Sequence, residues 1–280
     1  MKDRAPHEVL LEFKQQPREK YIYRISDFVE YAVKMSDGKT VAYQHAQEQK
    51  SELLIKSIDS AMVHSLNLSF LVTQDSLINA PEQVHKRRRL SAGDIIFFQL
   101  KMRQNGEVID VQSDNPSVTF FYNTGYKPSQ PVFPDRAIVL GHSWTQNFEI
   151  EVPYTDPAVV TTEYKLNSFA KLDRFDCAVI DFKGELEYDQ VFKSPDKNDA
   201  SKFIVRKSKT KITSEGQIFF AYHEGFMVKK TNMITSTYHA KIFTNDEIKE
   251  ERQTVTKDRE SITLLAVHRP DGKVMKYNIP

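Results

Sequence analysis

Tyr21-Ile22-Tyr23-Arg24-Ile25-Ser26-Asp27-Phe28-Val29-Glu30-Tyr31-Ala32-Val33-Lys34-Met35 carries apolar side chains at Tyr21, Tyr23, Ile25, Val29, Tyr31, Val33 and Met35, with Arg24, Ser26, Glu30 and Lys34 among the positions between. Alternation with a period of two is the mark of a strand with one face against a core. At about 3.3 Å per residue this stretch reaches roughly 50 Å, so the strand has to bend or coil across a curved sheet. Strand candidates of similar length follow at 40–58 and 61–73.

Turn chemistry sets the pairing rule. Asn105-Gly106 joins residues 99–103 to 107–112, and Pro270-Asp271-Gly272 joins 264–269 to 273–278. Both supply the positive backbone angles that tight hairpins require, which predicts antiparallel neighbours. A third reversal is expected at His223-Glu224-Gly225, between strands at 217–222 and 226–237.

Further strands are expected at 144–152, 159–172, 177–192, 203–213, 226–243 and 251–268, with a polar loop at 193–199. Helix signals are sparse. The stretch 74–90, with Asp75 as a candidate N-cap and Pro81 as an interruption, has room for one short helix, and 116–122 for another. Gly125, Pro128, Pro131 and Pro134 mark a crossing segment or boundary. The expectation is a mainly β protein of long, strongly curved antiparallel sheets, half-open barrel in type, with at most a few short helices. Its β halves are 1–125 and 126–280, as two domains or one continuous one; no residue-level repeat relates them.

The boundary ends in Phe133-Pro134-Asp135-Arg136-Ala137-Ile138-Val139-Leu140-Gly141-His142-Ser143-Trp144, which holds the chain's only Trp. These residues, with the turn Asn105-Gly106-Glu107-Val108-Ile109, resemble an uncharacterised family of bacterial secreted proteins and lipoproteins. Tyr164-Lys165-Leu166 and the stretches 176–180, 216–220 and 224–228 extend the resemblance over roughly residues 95 to 240. His142 departs from it, standing where an acidic residue is expected. The resemblance implies a fold similar to LolA and LppX type lipoprotein carriers, with apolar side chains on a concave face. It also implies a periplasmic or cell-envelope location, and it brings no known activity.

Composition narrows the functional classes. Lys plus Arg number 39 against 38 for Asp plus Glu, so no global field favours nucleic acid or an anionic membrane. The basic run His85-Lys86-Arg87-Arg88-Arg89 reads first as a solvated face. Nine glycines never cluster as a nucleotide fingerprint, no Gly-x-Ser-x-Gly elbow occurs, and Cys177 sits in an apolar run that makes it a buried, inert thiol. The eight histidines fall in no metal-ligand pattern, and His64 and His239 read as satisfied sheet residues. No catalytic residue, metal or cofactor is therefore assigned. No apolar run reaches the roughly 18 residues that cross a bilayer, and the first six residues lack the apolar core of a signal peptide, which fits a cytosolic chain or one shown after removal of its export segment.

What remains is a surplus of apolar surface. Eighteen Phe and twelve Tyr, clustered at Phe97-Phe98, Phe120-Phe121-Tyr122 and Phe219-Phe220-Ala221-Tyr222, exceed what a sheet with few helices readily covers. Either the sheet closes on itself, a second sheet packs against it, or part of its apolar face lines a cavity. The leading expectation is a non-enzymatic envelope protein binding a hydrophobic molecule or lipid, lined by Phe98, Leu100, Trp144, Phe148, Phe220 and Tyr222; Trp144 reads first as a core anchor. The alternatives are a scaffold with a filled core that binds a protein partner by strand addition, and an enzyme whose catalytic residues are dispersed in sequence.

Overall fold

The structure, a computed structural model, describes residues 8–85, 90–113, 130–152, 155–195, 203–244 and 247–279. Its first half holds β1 (Glu8–Val9), β2 (Lys20–Met35), β3 (Thr40–Ile58), β4 (His64–Ile78), the single-turn helix α1 (Glu82–His85), β5 (Ile95–Met102) and β6 (Val108–Gln112). The second holds β7 (Ile138–Val139), β8 (Ser143–Ile150), β9 (Ala158–Leu172), β10 (Phe175–Pro195), β11 (Phe203–Ala221), β12 (Phe226–Thr244), β13 (Glu247–His268) and β14 (Val274–Lys276). The protein is mainly β, as the alternation predicts.

Twelve strands form one antiparallel sheet in the order β6-β5-β4-β3-β2-β13-β12-β11-β10-β9-β8, with β14 added on β13. Most pairings join strands adjacent in sequence. The exception within this sheet is β2 with β13, in register from Lys20↔His268 to Met35↔Arg252, and it stitches the two β halves into a continuous sheet. β1 and β7 form a separate two-stranded ribbon.

Curvature follows from two consecutive hydrogen bonds. The Phe13 amide donates to the Gln104 carbonyl in the β5–β6 turn at 2.7 Å, and the Lys14 amide to the Gly225 carbonyl in the β11–β12 turn at 3.0 Å. The strand order puts the centres of those turns about six strand spacings apart, roughly 29 Å on a flat sheet. Adjacent residues can bridge them only if the sheet curls around segment 10–19. This segment, with Leu11 and Phe13 buried, is a strap across that end of the half-open barrel.

The core sits at the strapped end. Past Ile25 the apolar positions of β2 are only partly buried or exposed, and in β13 the fully buried positions begin at Thr263 and Leu264, near the end that pairs with the start of β2.

Three expectations are corrected. The short helix expected within 74–90 is present as α1, but Asp75 does not cap it: β4 runs on to Ile78 because its end pairs with β3, Gln47 opposite Asp75, and α1 forms only after Pro81. The strands expected at 203–213 and 217–222 are one continuous strand, since Gly216 lies in register with Asn232 instead of turning. Residues 193–195 of the expected polar loop are strand, because β10 stays paired with β11 as far as Pro195 opposite Phe203. The helix expected at 116–122, residues 86–89 of the basic run and residues 196–199 of that loop lie outside the described residues.

Candidate functional site

The period of two sends alternate side chains of every strand to the concave face. Tyr23, Ile25 and Asp27 of β2 line a cavity of about 400 Å³ there, with Gln47, Gln49, Ser51 and Leu53 of β3 and Leu66, Leu68 and Phe70 of β4. From the other side come Met227, Lys230, Asn232 and Ile234 of β12 and Asp258, Glu260 and Ile262 of β13. Lys230, Asn232 and Ile234 also line a second space of about 230 Å³, reaching Val160, Tyr164, Phe182 and Ile218 on β9 to β11. The two form a trough along the concave face.

The strap and segment 130–133 close one end, through Phe13, Gln15, Gln130 and Pro131. Two glycines permit the approach. Gly106 has φ +92°, and a Cβ there would stand 2.4 Å from the Pro131 carbonyl oxygen; Gly225 has φ +75°, and a Cβ would stand 2.4 Å from the Lys14 nitrogen. Gln146 accepts from the Val132 amide at 3.0 Å and donates to the Gln130 carbonyl at 3.2 Å, while the Trp144 indole donates to the Val132 carbonyl at 3.0 Å. Glu19, 1 % exposed, anchors the far end of the strap through Arg269 and through the Tyr21 hydroxyl at 2.5 Å.

Most of the wall is apolar, but cross-strand register lays a polar row over it: Asn232 opposite Glu260, Glu260 opposite Asp27, and Asp27 opposite Gln47. Loss of water pushes the Asp27 carboxyl up to about 8, aided by the charges of Glu260 and Asp258. Asp258 rises to about 6, first through burial and then through Glu260, with His45 opposing. Lys230, 3 % exposed, holds its ammonium 3.7 Å from Glu260 Oε1 and 5.5 Å from the centre of the Phe182 ring. Among the described residues that line the cavity, four buried oxygens have no hydrogen-bond partner: Gln15 Oε1, Asn232 Oδ1, Asp258 Oδ1 and Glu260 Oε1.

Of the six residues expected to line a ligand site, Phe220 lines the larger cavity and the other five do not. Phe98 and Leu100 are buried in the core, with Phe98 tilted against cavity-lining Phe70 at 5.8 Å. Trp144 stacks on Tyr164 at 5.3 Å, and Tyr222 meets Phe169 edge-on at 5.7 Å. Phe148 belongs to a small separate cluster with Ile150, Ala158 and Val160. Sequence reasoning missed the polar row. Its signal was parity: Asp27, Lys230, Asn232 and Glu260 are polar residues in the inward-facing register.

Burial pushes the Cys177 thiol up to about 12, which keeps it protonated and unreactive. His239 meets Glu251 at 2.7 Å, whereas His64 is fully buried with neither ring nitrogen bonded, which corrects its expected satisfaction; burial lowers its pKa. Among the described residues no group of three His, Cys, Asp or Glu side chains could hold a metal ion, and no helix is long and apolar enough to cross a membrane.

No protein-family model and no curated protein matches the chain. Among solved structures it is distantly similar to lipovitellin, in a structure concerned with lipid–protein interactions, at 9 % identity and a TM-score of 0.45. That match covers 94 % of this chain but 26 % of the lipovitellin chain, so the protein spans about a quarter of its length. An outer membrane channel from Pseudomonas putida is matched at 8 % identity and a TM-score of 0.18, over 93 % of this chain and 100 % of the channel.

Proposed function

We propose that this is a non-enzymatic binding protein that holds a hydrophobic or lipid-like molecule in the concavity of its curved sheet. The supporting observation is the cavity of about 400 Å³ walled by Tyr23, Ile25, Leu53, Leu66, Leu68, Phe70, Met227 and Ile262. Its size falls in the roughly 300–1,000 Å³ range of small-molecule sites. At about 0.8 kcal/mol per buried methylene, ten methylenes contribute about 8 kcal/mol before the costs of association. A location in the cell envelope belongs to the same proposal, through the sequence resemblance alone.

Native mass spectrometry of the purified protein tests the reading. A bound species of lipid mass that solvent extraction removes supports it; protein that never carries or takes up an acyl chain counts against it. A scaffold with a filled core is disfavoured by the cavity. One observation favours an enzyme instead, namely the two carboxyls Asp27 and Asp258 with raised pKa values on one cavity wall. Ligand recovered chemically unchanged after long incubation supports carriage, and conversion of the ligand supports catalysis.

A further inference from the structure

We propose that the polar row on the cavity wall receives the head of the ligand, and that this head is a primary ammonium carried on an apolar chain. The proposal rests on the binding function above and names its ligand class. Among the described residues lining the cavity, three carboxyl groups, Asp27, Asp258 and Glu260, share this wall with one fixed cation, Lys230. Beside them on the neighbouring strands, His45 and Asp75 satisfy each other at 2.6 Å. With all carboxylates ionised, the wall carries more negative than positive charge.

The second, independent observation is a shortage of donors. Asn232 and Gln15 are 8 % and 2 % exposed, and each leaves a side-chain oxygen on the cavity without a hydrogen-bond partner. Asp258 adds another, and Glu260 Oε1, ion-paired with Lys230 at 3.7 Å, also accepts no hydrogen bond. Every one of the four is an acceptor. A buried acceptor without a donor is unfavourable, so the complementary ligand brings N–H groups as well as positive charge. A primary ammonium supplies three donors and one charge; a quaternary ammonium supplies charge alone, and a carboxylate head would meet repulsion. Asn232 and Glu260 face each other in the row and Asp258 lies two residues along β13, while Gln15 belongs to the strap that closes the cavity; no three acidic or histidine groups among the described residues converge for a metal ion. The apolar wall beside the row, from Leu53 to Phe70, takes the chain.

Four probes sharing one chain length separate these contributions: dodecylammonium, dodecyltrimethylammonium, dodecanol and dodecanoate, each titrated below its micelle concentration into lipid-stripped protein at pH 8 by calorimetry. The expected order is dodecylammonium tightest, at least tenfold above dodecanol, with dodecyltrimethylammonium between them and dodecanoate weakest. The double variant Asp258→Asn, Glu260→Gln is expected to shrink the dodecylammonium-to-dodecanol ratio toward one. Dodecanol binding as tightly as dodecylammonium overturns the head-group assignment while leaving the binding function standing. Binding of none of the four overturns both. The ranking uses the unaltered protein, so it decides the matter even if the double variant does not fold.

Discussion

Asp27 gives the sharpest test of how dry the polar row is. Its carboxyl is raised from 3.8 to about 8, chiefly by burial, so the folded state binds its proton more tightly than the unfolded state does. The resulting stability is fully present below the unfolded value, near pH 4, and is lost as pH rises through about 8. Between those values each pH unit removes about 1.4 kcal/mol. Asp27→Asn keeps the shape and removes the titration. Relative to this variant, the unaltered ligand-free protein should fall behind by about 3 kcal/mol more at pH 8.5 than at pH 5.5. Urea unfolding of both proteins at the two pH values reads the difference directly. A gap that does not change with pH would mean that Asp27 ionises as an ordinary exposed carboxylate, and the reasoning about a desolvated row would be wrong.

Three further outcomes are expected. Arg269→Ala strips the cation from Glu19, which is 1 % exposed; loss of about 3–5 kcal/mol is expected in urea unfolding, and a loss below about 1 kcal/mol would show that Glu19 is otherwise compensated. Trp144→Phe removes the indole donor to Val132 and should cost about 1 kcal/mol with acyl-chain affinity within twofold, whereas a large affinity loss would return Trp144 to the ligand site. Ile234→Trp puts a ring where the two cavities meet; overpacking costs about 1–3 kcal/mol, and dodecanol affinity should drop tenfold or more, an unchanged affinity placing the ligand elsewhere.

The fold was legible where its causes are local. Alternation located β3 at Thr40–Ile58, and the glycines of three predicted turns, Gly106, Gly225 and Gly272, all have positive φ. Pairing of β2 with β13 sets Lys20 opposite His268, and no local pattern encodes a partner so distant in sequence. The site fared worse for a related reason. Aromatic clusters drew attention to Phe98 and Tyr222, yet large aromatics in a curved sheet mostly fill the core. Asp27, Asn232 and Glu260 each look like an unremarkable polar position in one strand. Only the register that sets them side by side makes them a row.

The central claim is that an apolar chain lies in the concavity, and photolabelling tests it most directly. A dodecyl probe with a diazirine at its terminal carbon would be bound, irradiated and mapped by peptide mass spectrometry. Adducts at Tyr23, Leu53, Leu68, Met227 and Ile262, all on the cavity wall and competed away by excess unlabelled chain, are the predicted result. Adducts confined to the exposed apolar residues Ile95, Phe97 and Leu140 would contradict it.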